Sequence, residues 1–166
     1  MAKVTNGRMT ADIEGDFVVF LIGMRINKLW KVHKWFPVAM AMPGMQREQL
    51  TDPEIGMLGQ HQWFTGRRTL LVQYWRSAEH LDRFAHDPAM RHRPAWKAYN
   101  RAIGTNGDVG VWHETYLVRD GGFEALYGNM PTFGLAAAGE PAKLSRATRT
   151  AAARRAANAG APEPTP

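Results

Sequence analysis

The run DFVVFLIGMRI, residues 16–26, is β-branched, aromatic and apolar on both faces of any strand drawn through it. A segment of that kind suits the centre of a sheet, where both faces are covered. The remaining strand signals have to arrange themselves around it. GMLGQHQWF (56–64) and RRTLLVQYW (67–75) read as a hairpin turning at Thr65-Gly66. GVWHETYLVRD (110–120) alternates cleanly and makes a fourth strand.

Helical signals fall between the strands. Asn27 is placed to cap a helix through LWKVHKWFPVAMAM (29–42), which Pro37 bends or interrupts, and PGMQREQLTDPE reads as loop and turn. Ser77 caps AEHLDRFAH, Asp87-Pro88 breaks the chain, and PAWKAYNRAI (94–103) runs helically to a stop at Gly104. Strand, helix, strand, strand, helix pair, strand is the order of an α+β, ferredoxin-like (split βαβ) antiparallel sheet with helices on one face. The uncovered face then predicts a second copy of the chain, giving a dimeric α+β barrel, because no internal repeat supplies the partner. Three segments follow: a flexible N-terminal lead over 1–15, the ferredoxin-like domain over 16–135, and an Ala/Arg/Pro-rich flexible tail over 136–166.

Composition narrows the chemistry. With 0 cysteines, disulfides, thiolate nucleophiles, iron–sulfur clusters and thiolate-ligated haem are excluded, so any metal or haem needs nitrogen or oxygen ligands. The net charge of +6 invites a nucleic-acid reading, but half of it sits in the tail and the rest is scattered rather than striped. No apolar run approaches the length of a membrane span, and the start lacks a signal-like segment. A soluble, cytoplasmic protein without nucleic-acid or membrane partners is expected. The 9 methionines and 6 tryptophans suit a core, and equally an adaptable pocket for a small hydrophobic ligand.

The residue that does not suit a plain core is His113. Alternation puts Val111, His113, Thr115 and Leu117 on one face of the last strand, with Trp112, Glu114, Tyr116 and Val118 on the other. A lone histidine on an apolar face is most often a hydrogen-bonded core residue. Glu114 points away from it, which rules out a dyad or a shared metal, and leaves Glu114 to pair with Arg68 or Arg119 at the surface. His33, His61, His80 and His86 form no metal-ligand motif and read as surface or hydrogen-bonded residues. His92, just ahead of the Pro94 helix, is placed to project between helices and sheet. From pattern by itself, it lies on a basic surface between Arg91 and Arg93.

YWRSAEHLDRFAHDPAMRHRPAWKAYNRAIG together with VGVWHETYLVRDGGFEALYGNMPTFGL resembles a small monooxygenase-like family of the antibiotic-biosynthesis-monooxygenase type, related to a fungal fumagillin-pathway protein. The resemblance spans about residues 16–135. The C-terminal half is also similar to the haem-containing aldoxime dehydratases, through His92, the WHE around His113, Phe123-Glu124 and the Pro131–Gly134 turn, with the 21-residue step from His92 to His113. That resemblance implies haem b, with His92 as proximal (metal) ligand and His113 as distal catalytic acid/base. Met40, Met42, Trp96, Phe123, Tyr127 and Met130 would line the cofactor cavity, and arginines would meet the propionates. The dehydratases take their catalytic arginine and serine from their other half. Here Ser77 is a helix cap, and Arg25, Arg67, Arg68, Arg91 and Arg93 are candidates without a matching motif. The family resemblance implies a haem-dependent, monooxygenase-like oxidoreductase ahead of a dehydratase-type lyase. A cofactor-free monooxygenase with His113 as base, and a non-enzymatic barrel binding a hydrophobic ligand, remain as alternatives.

Overall fold

The fold is taken from a computed structural model, which describes residues 3–86, 100–101 and 103–160. Its centre is a four-stranded antiparallel sheet of β2 (Phe17–Ile26), β3 (Met57–Thr65), β4 (Arg68–Trp75) and β5 (Val109–Val118), in the order β3-β4-β2-β5. This is the split βαβ, ferredoxin-like order, and the doubly apolar β2 lies inside it as its composition requires. The hairpin turns one residue later than expected. Thr65 pairs with Arg68, and Gly66 takes the left-handed conformation (φ +55°) at the start of the two-residue loop.

Two helices cover one face of this sheet. α2 (Ala78–His86) starts at Ser77, whose hydroxyl accepts the His80 N–H. It buries Leu81 and Phe84 against Val18 and Trp75. α1 (Val32–Thr51) differs from expectation at both ends. Asn27 does not cap it; its side chain donates to the Gly107 carbonyl, and helix begins only after Lys31. The segment expected as loop after Met42 stays helical through Pro37 and Pro43, then passes into a 3-10 turn over Pro53–Ile55. Each proline removes one helical hydrogen bond. Burial of Val38 against Met24 and of Gln49 against the sheet holds the helix together across them. Among the described residues no helix is long and apolar enough to cross a membrane.

The expected lead and tail also carry structure. β1 (Arg8–Asp12) forms a second sheet with β6 (Tyr127–Gly128) and β7 (Glu140–Lys143), in the order β6-β1-β7. α3 (Leu135–Ala138) lies beneath it and packs Leu135 and Ala136 on Ala11, Ile13 and Phe17. α4 (Ala151–Asn158), in the segment read as tail, has Arg154 only 5 % exposed. Arg154 pairs with Glu124 and donates to the carbonyls of Thr148 and Arg149. A buried guanidinium with its donors satisfied fixes this helix on the domain.

Candidate functional site

The strand register decides which side each site residue occupies. His113 lies opposite Ile22, and Ile22 opposite Leu71, so these share a face with Val18, Phe20, Met24, Gln73 and Trp75. That is the face covered by α1 and α2. The His113 ring rests against Phe20, with centroids 5.6 Å apart. Strand β5 is an edge, however, and His113 stays exposed there beside Val111 and Leu117 instead of sitting in an apolar wall.

Between this face and the helices lies a cavity of about 220 Å³. Its walls are Phe20, Ile22 and Trp75 from the sheet, Met42 from α1, and Leu81, Phe84 and Ala85 from α2. Gln46, Gln49, Gln73 and His86 supply the polar atoms. His86 lies beside the carbonyl of Asp82, which sits 2.8 Å from Nδ1. A carbonyl only accepts, so Nδ1 is the donor in this contact. His86 is exposed and hydrogen-bonded, as read from the sequence, but its place in the cavity and the glutamines were passed over. One signal was there: Met42, Gln46 and Gln49 follow the i, i+4, i+7 spacing of a single helix face.

Several expected cavity residues lie elsewhere. Phe123 and Tyr127 pack on the opposite side of the sheet, in the cluster around Ala11, Ile13 and Phe17. After β5 the chain turns at the left-handed Gly121 and runs back across that far side. Met40 is 58 % exposed and Met130 is 36 % exposed. Met42 is the member of the expected set that does line the cavity. His92 and Trp96 lie outside the described residues. Glu114 faces away from His113 as alternation requires, but it accepts from the Tyr116 hydroxyl at 2.6 Å, not from an arginine. Arg119 pairs with Asp16 instead.

The far side carries a second cluster. His61 Nε2 accepts the Gly134 N–H at 2.9 Å, and its ring stacks on Phe133 at 4.2 Å between centroids. Burial pulls the His61 pKa down. Burial raises that of neighbouring Tyr74, with a further rise from Tyr127. These groups tie the Pro131–Gly134 turn to the sheet.

The described residues do not make a haem pocket. An apolar cavity of about 150 Å³ accommodates benzene, so one of this size holds a molecule not much larger, several times smaller than a porphyrin. No lysine or arginine lines it among the described residues to meet propionates. Nor do three or more His, Asp or Glu side chains gather to share a metal ion among those residues.

Comparison with known proteins agrees with this architecture. A relative from Aspergillus fumigatus, Monooxygenase af470, is 31 % identical over 149 residues, which is 78 % of this chain and 53 % of the relative. The chain thus spans about half the length of that protein. Among solved structures, an aldoxime dehydratase crystallised with butyraldoxime superposes with a TM-score of 0.59 at 15 % identity, over 84 % of this chain and 42 % of the other. At that identity the likeness concerns the fold. Residues 17–135, the whole central sheet with its helices, match the family described as Monooxygenase af470-like. The chain belongs to the Monooxygenase af470-like family.

Proposed function

We propose that this protein is an oxidoreductase of the monooxygenase type, acting on a small, hydrophobic substrate held in the cavity under α1 and α2. His113 would serve as the acid/base group. The observation that carries the reading is an apolar chamber of about 220 Å³ on the helix-covered face, with the His113 ring tilted against Phe20, one of its walls, at 5.6 Å between centroids. Phe20 lies between His113 and the chamber, so the exposed imidazole reaches a substrate that extends past Phe20. In the cofactor-free form of this chemistry, His113 removes a proton from an activated C–H or O–H group. The resulting carbanion bonds to dioxygen and, with a proton, forms a hydroperoxide. Its O–O bond then breaks with loss of water, leaving one oxygen on the substrate as a carbonyl. Family membership supports oxygenation ahead of dehydration.

Oxygen uptake with small activated phenols and 1,3-dicarbonyl compounds tests the proposal. Uptake with at least one compound should fall roughly a hundredfold or more in His113→Ala. Unchanged uptake in that variant removes the role of His113. No uptake from any compound, with or without added hemin, removes the oxygenase reading. The haem alternative draws its support from the 21-residue step between His92 and His113 and from the shared fold. Hemin titration separates the two: a Soret band lost in His92→Ala supports haem, and no band in the wild-type protein removes it.

A further inference from the structure

The polar atoms of the cavity are ordered by a hydrogen-bond chain whose direction is fixed at one end. The indole N–H of Trp75 can only donate, so the atom of Gln73 that it meets at 3.2 Å is the amide oxygen. Gln73 must then direct its NH₂ group at Gln49 Oε1, 2.8 Å away, and at Gln60 Oε1, 3.1 Å away. Both of its protons and its oxygen are used, which suits a side chain only 3 % exposed. Gln49 has spent its oxygen on Gln73, so its NH₂ group is the part of the amide left to serve the cavity that Gln49 lines. Gln49 is 6 % exposed, and no acceptor meets that NH₂ group among the described residues. A buried donor without an acceptor costs free energy that a bound acceptor would recover.

We infer that Gln49 is the specificity-determining residue of the cavity, donating its amide N–H to an uncharged oxygen or nitrogen acceptor on an otherwise apolar ligand of about ten non-hydrogen atoms. The inference rests on the reading of this cavity as the substrate site and names the class of compound that fits it. No lysine, arginine, aspartate or glutamate lines the cavity among the described residues, so a carboxylate or ammonium ligand would lose its hydration without gaining a permanent counter-charge. An amide that keeps its NH₂ group free selects a carbonyl, oxime, ether or nitrile over the same skeleton without the acceptor. Trp75 and Gln73 are positioning residues, since they set which end of Gln49 faces the ligand and do not themselves need to touch it.

Three compounds of one shape test this: 1-indanone, with a neutral acceptor; indane, with none; and 1-aminoindane, a cation. Their binding to the wild-type chain is measured by calorimetry or ligand-observed NMR. 1-Indanone should bind roughly five- to tenfold tighter than indane, and 1-aminoindane at least tenfold more weakly than 1-indanone. In Gln49→Leu the preference for 1-indanone should collapse to about one while indane still binds. Gln49→Met gives a second construction of the same test, with circular dichroism to establish that each variant is folded. Gln73→Leu, which removes the orienting contact, should reduce the preference without abolishing indane binding. Equal binding of 1-indanone and indane to the wild-type chain, or a preference that survives in both Gln49 variants, overturns the role of Gln49. Binding of 1-aminoindane as tight as that of 1-indanone overturns the neutral class. If indane and 1-indanone both fail to bind the wild-type chain, the cavity is not a ligand site, and the proposed function falls with the inference.

Discussion

His61 is held by a contact that its charge would break. Its Nε2 accepts the Gly134 N–H, and protonation of that nitrogen would set two donors against each other. Burial lowers its pKa below the ordinary 6.5. As pH falls, the unfolded chain therefore takes up this proton first, and the folded state loses stability from about pH 6.5 down through the lowered value. Thermal melts at about pH 7.5 and pH 5.5 should show a drop that is smaller in His61→Gln, which keeps an acceptor but does not titrate. An equal drop in the variant would mean that other groups set the acid sensitivity. The alternation that sets His113 and Glu114 on opposite faces was legible in the sequence, because it is a local property, whereas His61 reads there as a surface or hydrogen-bonded residue with no side assigned. The surroundings of His61 and His113 were not legible. Phe133, which stacks on His61, comes from a turn about seventy residues away, and the exposure of His113 follows from the position of β5 at the sheet edge.

Helix α1 carries most of what decides the cavity. It brings Met42, Gln46 and Gln49 over the sheet, yet has no side-chain cap at its start and two prolines inside it. Local rules read such a segment as broken, since an interior proline costs about 3 kcal/mol relative to alanine. Tertiary burial overrides them. Val38 is fully buried against Met24 and Val109, and Gln49 is joined to Gln73. Pro43→Ala restores a helical donor at an exposed position and should raise stability by about 1–2 kcal/mol, read as a higher Tm. A lower Tm would mean that the proline side chain, which borders a small gap under the helix with Met24 and Leu71, contributes more than the hydrogen bond it prevents. The caps and turns at Ser77, Gly66 and Gly104 were readable because each is satisfied within a few residues. The continuity of α1 was not, because it depends on partners in β2 and β4.

Among the described residues, the far side of the central sheet is only half covered. β1, β6, β7 and α3 close the end around Phe17 and Tyr74, while Trp63 at 38 % and Trp112 at 41 % at the other end, and Tyr116 at 50 % on the edge strand, stay exposed. Gly23 lies under the Trp112 indole, where a Cβ would come within 2.5 Å of Nε1, so the ring lies flat on the strand. Arg25, Arg68 and Glu114 flank this aromatic patch on the same face, a charge pattern suited to a copy of itself across a two-fold axis. The expected occupant is a second chain. Sedimentation should give about twice the 18.6 kDa of one chain, and Trp112→Glu should give a folded monomer. A wild-type monomer at tens of micromolar would leave this face without its proposed partner. By itself the sequence determined the four strands of the central sheet, their order, the central place of β2 and the opposite facing of His113 and Glu114, because period-two patterning and local caps need no distant partner. Tertiary structure decided the rest: the unbroken α1, the directed chain from Trp75 through Gln73 to Gln49, and the ordered ends. β1 finds its partners more than a hundred residues away, and Arg154 finds Glu124 thirty residues back. Such pairings are chosen by which groups can be satisfied together once the chain is folded, and no local stretch of sequence contains that information.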